Sequence, residues 1–147
     1  MSVVSEVMPT RKAVTLKVES MPSAMDAAKL MISRKVGSVV VVDHDGMPIG
    51  IITERDILKK VTRSNKLAAD LAAQDIMSHP VITIKAYDSI ETAAAVMAKK
   101  GIKRLVVLEQ DGSLAGVLSI TDIARKLVRI LATDYKRYGR FKALLEF

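Results

Sequence analysis

The chain is written twice. Gly46 to Ile57 (GMPIGIITERDI) realigns with Gly112 to Ile123 (GSLAGVLSITDI) at a shift of 66 residues. The same shift carries Ser23 to Ser89, Ala27-Ala28 to Ala93-Ala94, Met31 to Met97, and Val39 to Asp43 onto Leu105 to Glu109. Upstream, Glu6-Val7-Met8 matches Asp75-Ile76-Met77 after a three-residue slip near Arg11 to Ala13. This period is too long for a solenoid repeat and has the length of a small domain, duplicated. The expected division is a first repeat over 1–66, a second over 67–132 that opens with a connector helix, and a basic amphipathic tail helix over 133–147.

Both copies carry the same order of signals. A short strand (Val14 to Val18; Val81 to Ile84) precedes a helix with Ser23 or Ser89 as N-cap and acidic Asp26 or Glu91 in its first turn. Ala27, Leu30 and Met31 recur at helical spacing, as do Ala93, Ala94 and Met97. Val39 to Val42 and Leu105 to Leu108 are short continuous apolar runs, which suits strands buried on both faces. His44-Asp45-Gly46-Met47 and Gln110-Asp111-Gly112-Ser113 supply Asp-Gly turn chemistry for a hairpin. Its return strand, Ile49 to Ile52 or Ala115 to Leu118, runs into a second helix near Glu54 or Ile120. The predicted class is α+β, two β-α-β-β-α repeats. One helical layer on so small a sheet covers only one side, so the copies are expected to pack sheet to sheet or edge to edge. Between them, Ser64 to Met77 is alanine-rich and reads as a helical connector. After Arg125 the spacing of Leu127, Ile130, Leu131, Tyr135 and Tyr138 extends the last helix, with a break near Gly139.

Composition narrows the function classes. Half of the residues are hydrophobic, but there is no Trp, with only two Phe and three Tyr, so the core must be aliphatic. The absence of cysteine excludes disulfides, thiolate zinc sites and thiol catalysis. The N-terminus lacks the apolar stretch of a signal peptide, and no apolar run is long enough to span a bilayer, so a cytoplasmic protein with no membrane partner is expected. The net charge of +7 is uneven: from Arg125 onward seven basic residues face Asp134 and Glu146. Such a tail can be a solvated helix face, or can attract nucleic acid, anionic lipid or an acidic partner. His44 and His79 lack metal-ligand company at a useful spacing, so no metal is expected. No Ser-His-Asp arrangement, P-loop or GxGxxG motif is present, which leaves no expected catalytic residue.

The chemically informative segment is Gly50 to Asp56 with its twin, Gly116 to Asp122. Both read Gly-apolar-apolar-(Thr/Ser)-x-x-Asp at a strand-to-helix junction. The first N–H groups of a helix lack intrahelical partners and sit at its positive end. With the hydroxyl of Thr53 or Ser119 beside them they offer donors to a phosphate. Asp56 or Asp122, three residues on, would repel phosphate at close range and would instead accept from the two hydroxyls of a ribose. A single Thr-x-x-Asp is close to an ordinary capping box. Two at equivalent places in a duplicated fold point to binding.

On these motifs, with the Ile-Met start of each copy and the β-α-β-β-α order, the chain resembles the CBS domain family over roughly residues 1 to 132. The resemblance implies a tandem pair about a pseudo-twofold axis, with two clefts that take adenosine nucleotides (AMP, ADP or ATP) or S-adenosylmethionine as ligand and no obligatory cofactor. It gives Asp56 and Asp122 the ribose, and Thr53 and Ser119 a place near ribose or phosphate. Arg55 and Thr121, just before each Asp, reach toward phosphate. Gly37, Ser38 and Val39, and in the second copy Lys103, Arg104 and Leu105, match the strand start that contacts adenine or phosphate. Ser78 matches a position lining the base. Only the second copy brings a basic pair, Lys103-Arg104, so the two clefts are expected to be unequal. The cleft that uses this pair should favour more phosphate.

These readings predict a non-catalytic regulatory or sensor module that acts on an effector protein not named by the sequence and associates as a homodimer, as paired repeats of this family do through their helices. The alternative is nucleic-acid binding or an adaptor role through the basic tail. Against nucleic acid stand the lack of aromatic platforms and of a helix-turn-helix pattern. Against a decayed adaptor stands an intact motif in both copies.

Overall fold

The computed structural model describes residues 2–134. The tail expected over 133–147 therefore lies almost wholly outside the described residues. Two three-stranded sheets repeat one topology. In the first, β1 (Thr15–Lys17) pairs in parallel with β2 (Ser38–Val42) through crossover helix α1 (Ala24–Arg34), and β2 pairs antiparallel with β3 (Pro48–Thr53). β3 runs directly into α2, whose first turn Glu54–Asp56 is α-helical, whose middle Ile57–Val61 is π-helical and whose end Thr62–Ser64 is α-helical again. In the second, β4 (Thr83–Lys85) pairs with β5 (Arg104–Leu108), and β5 with β6 (Leu114–Ser119). A short helix α3 (Ala73–Ile76) precedes this sheet, α4 (Ile90–Lys100) is its crossover, and α5 (Ile120–Asp134) follows it. The α+β class and the β-α-β-β-α order are as the sequence predicts.

Local chemistry accounts for the elements. The Ser23 hydroxyl accepts from the Asp26 N–H while the Asp26 carboxylate accepts from the Ser23 N–H, closing a capping box at α1. These bonds from Ser23 hold the Asp26 carboxyl below its ordinary pKa. Ser89 caps α4 with its hydroxyl alone, accepting from the Thr92 N–H. The hairpin turns place Gly46 at φ +78° and Gly112 at φ +86°, a backbone region where a side chain is strained.

The strand runs are buried on both faces. Val39, Val41 and Ile52 pack against α1, and Leu105, Val107 and Leu118 against α4. On the opposite faces Val40 and Val42 meet Val106, with Ile51, Leu114 and Val117 around them. The sheets thus pack face to face, one of the two arrangements left open by the sequence.

The cores are completed crosswise. Val4, in the 3-10 turn Val4–Glu6, is fully buried with Ile84, Ala93, Met97 and Leu105 of the second sheet. Its N–H donates to the Asp88 carbonyl, and the Ser5 N–H donates to the Ala86 carbonyl. Reciprocally, Ala73, Ile76 and Met77 join the core of the first sheet with Ala24, Ala27 and Met31. Each Ile-Met or Val-Met start therefore serves the sheet of the other copy. The connector is not one helix, contrary to its alanine content. It forms a 3-10 turn (Ala68–Asp70) and then α3, with Leu71 and Ala72 extended between them. The Leu71 carbonyl accepts from the Ala24 N–H and the Ala73 N–H donates to Pro22, so tertiary hydrogen bonds override helix propensity.

The crossed segments also explain the glycine that opens each motif. A Cβ on Gly50 would overlap the side chain of Met77, and one on Gly116 would overlap the end of Met8. Gly50→Val should lower stability by about 1–3 kcal/mol, the usual cost of overpacking. A melting curve of the variant at the wild-type midpoint would contradict this packing.

Candidate functional site

At the β3–α2 junction, Asp56 is buried, with only 7% of its surface exposed. Its Oδ2 accepts from the Thr53 N–H at 2.9 Å and from the Thr53 hydroxyl at 3.2 Å. Its Oδ1 accepts from the Ser78 hydroxyl at 2.9 Å and pairs with Lys60 Nζ at 3.1 Å. The Thr53 hydroxyl also accepts from the Asp56 N–H at 3.2 Å. Four donors match the roughly four acceptor positions of a carboxylate. Thr53 is thus a helix cap whose hydroxyl is already engaged by Asp56. A ribose hydroxyl can reach Asp56 only by taking the place of one donor.

Lys60 sits in the π-helical turn of α2. Its Nζ also donates to the carbonyls of Ile76, at 2.9 Å, and Met77, at 3.4 Å. It therefore ties the acid to the connector that completes the core. Single π turns within helices often mark functional positions. The antiparallel bridge between Ile51 and Ser78 holds the other wall, with both backbone bonds formed.

This junction opens onto a cleft of about 550 Å³, within the range of small-ligand sites. Thr53, Arg55, Asp56 and Ser78 line it from one side and Lys103 and Arg104 from the second repeat. Apolar Ile51, Ile82, Ile102 and Val106 supply flat surface for a base. A second cleft, of about 230 Å³, gathers Ser119, Thr121 and Asp122 with Gly37 and Ser38 of the first repeat. Each cleft thus joins the helix start of one copy to the strand start of the other. In the second cleft the Ser119 N–H donates to Asp122 Oδ2 at 2.8 Å, and Arg125 approaches Oδ1 at 4.0 Å. Pro9 stands where the larger cleft has Ser78, so no hydroxyl is offered to Asp122 from that wall.

The inequality expected from Lys103-Arg104 takes a specific form. Lys103 lines the larger cleft, whereas Arg104 borders both, its guanidinium lying across Gly37 where a Cβ would overlap it. Two sequence-predicted residues need correction. Val39 and Leu105 line neither cleft; both are fully buried on the helix side of their sheets. Strand alternation sends the first residue after Ser38 or Arg104 to the opposite face. Lys59, Lys60 and Arg63 were not singled out from the sequence, yet all three line the larger cleft. Lys59 and Arg63 fall three and seven residues after Asp56, a helical spacing that does carry that signal.

Neither histidine lines either cleft, although His79 falls between Ser78 and Pro80 of the larger one. His44 does have company: its ring, Asp43 and Asp45 place possible metal-binding atoms within 4.8 Å of one another. The turn itself uses these groups, since Asp43 Oδ1 accepts from the Asp45 and Met47 N–H groups and His44 pairs with Asp45 at 3.2 Å. Among the described residues, no helix is long and apolar enough to cross a membrane.

Two β-α-β-β-α repeats packed through their sheets, with a cleft on either side of the shared face, define a tandem pair of CBS domains. The CBS domain model matches residues 4–63 and 73–129, and the chain belongs to this family. An uncharacterized protein of Methanopyrus kandleri is 37% identical over 120 residues, or 82% of this chain, and the chain spans 61% of that protein's length. A CBS domain protein from Pyrobaculum aerophilum complexed with AMP is similar at 32% identity and a TM-score of 0.76, over 90% of this chain and 99% of that one. A CBS domain pair in complex with 5′-methylthioadenosine and S-adenosyl-L-methionine matches at 26% identity and a TM-score of 0.74, over 86% of this chain and 99% of that one.

Proposed function

We propose that this chain is a non-catalytic regulatory module of the cytoplasm that binds an adenosine-containing ligand between its repeats and transmits occupancy to a partner protein. The observation that carries the reading is the buried Asp56, held beside Ser78 at the mouth of a 550 Å³ cleft with apolar and cationic walls. The ligands of the two similar structures, AMP and the S-adenosylmethionine pair, support the same class. A ribose that takes the place of Lys60 on Asp56 also acts on the Ile76 and Met77 carbonyls, which gives occupancy a route into the connector. Mass spectrometry of ligand released from purified, denatured protein, followed by calorimetric titration, tests the reading. An adenosine compound should be recovered or should bind below millimolar concentration. Failure of AMP, ADP, ATP and S-adenosylmethionine alike would overturn it.

The module acts as a homodimer in this reading. Ile32 and Leu58 are 77% and 71% exposed on neighbouring helices, beside a shallow groove floored by Ala28, Met31 and Ile57. A second copy laid across these helices would cover them, as paired repeats of this family do. Ile32→Asp should convert the sedimenting species to monomer with little change in fold. A wild-type monomer at tens of micromolar would refute the dimer.

A further inference from the structure

We propose that the larger cleft is built for an adenosine ligand bearing two or three phosphates, and that Lys59 and Arg63 set this preference. This rests on the adenosine reading of the cleft. Six cationic side chains line the cavity, against only Glu54 and Asp56. Lys60 is paired with Asp56. Among the described residues, none of the other five has a carboxylate oxygen within 4 Å. With Glu54 the one further acid in this lining, the five cations are in excess and repel one another, and an anion in the cleft or added salt relieves that repulsion.

Their placement gives the polyanion a length. Arg55 flanks the ribose-side acid on α2, and Lys103 and Arg104 stand on the facing strand start. These three suffice for one phosphate. Lys59 and Arg63 continue the row along α2, so the row runs on the order of 10 Å beyond Asp56 at the rise of a helix. One phosphate cannot span that distance, whereas a di- or triphosphate tail follows it. S-adenosylmethionine brings a sulfonium cation in place of phosphate and meets the same five cations as repulsion. The smaller cleft has cations too, including Arg11, Lys12 and Arg125, but less than half the volume.

Calorimetric titration of the full chain with AMP, ADP, ATP and S-adenosylmethionine, alongside the Lys59→Ala/Arg63→Ala double variant, tests the proposal. Both side chains are exposed, so the variant should keep its melting temperature. ATP should bind wild type about tenfold or more tighter than AMP, with a steeper salt dependence. The variant should lose that advantage and keep its AMP affinity. Equal AMP and ATP affinities in wild type, or an equal loss of both in the variant, would overturn the proposal. Inorganic tripolyphosphate separates the two readings. If no adenosine compound binds but tripolyphosphate does, in a manner that needs Lys59 and Arg63, the adenosine assignment falls and the polyphosphate row stands. If neither binds, both fall.

Discussion

Val4→Asp will unfold the second sheet, although the substitution lies in the first copy of the repeat. Val4 is fully buried among Ile84, Ala93, Met97 and Leu105, and among the described residues no cation is buried. A carboxylate there loses its water and gains no partner, which costs several kcal/mol whether it stays charged or takes up a proton. A domain of this size has only about 5–15 kcal/mol in total. The melting temperature should fall by on the order of 10 °C or more. Hydrogen exchange locates the damage: amides of β4, β5 and β6 should lose protection before those of β1, β2 and β3. Ile76→Asp should give the mirror image, opening the first sheet from within the connector. If Val4→Asp loosened β1 to β3 first, the crossed cores would be refuted.

That crossing marks the line between what was legible in the sequence and what was not. Strand, helix and turn identities came through because they depend on neighbours in sequence. Val39 to Val42 must be buried on both faces, Ser23 must cap, and Gly46 must take a positive φ. The partner of Val4 depends on the Asp88 and Ala86 carbonyls, more than eighty residues away, and no periodicity encodes a contact at that separation. The same applies to the clefts. Asp56 and Lys103 were each found by motif, but their meeting across the pseudo-twofold face is a property of sheet packing. Val39 and Leu105 were misplaced for a simpler reason. Motif alignment names consecutive residues, and the alternation of a strand admits only one of two neighbours to a cleft. The connector failed because alanine content reports propensity alone, and the bonds from Leu71 and Ala73 to the first helix region outweigh it.

The two acids at the helix starts look alike in sequence and in burial, with side chains 9% and 11% exposed, yet they should respond differently to removal. Asp56 satisfies two N–H or hydroxyl groups of Thr53, the Ser78 hydroxyl and Lys60, which itself anchors two connector carbonyls. Asp56→Ala leaves the ammonium of Lys60 without its counter-ion and the Thr53 N–H without its acceptor. A lost partner of a charged hydrogen bond costs about 1.5–3 kcal/mol. Stability should therefore fall by roughly that amount, and the affinity of the larger cleft by about 10- to 150-fold. Asp122 accepts from the Ser119 N–H, with Arg125 only at 4.0 Å, so Asp122→Ala should leave the melting temperature within a few degrees of wild type. Its own cleft should still lose ligand, because a less engaged carboxylate has acceptor positions open to a ribose. Asp56→Asn keeps the shape and one oxygen for the Thr53 N–H but brings no charge to Lys60, and should recover only part of the stability and little of the affinity. Melting curves and titrations of the three variants separate the outcomes. An Asp56→Asn protein that binds as wild type would show that this acid only caps its helix.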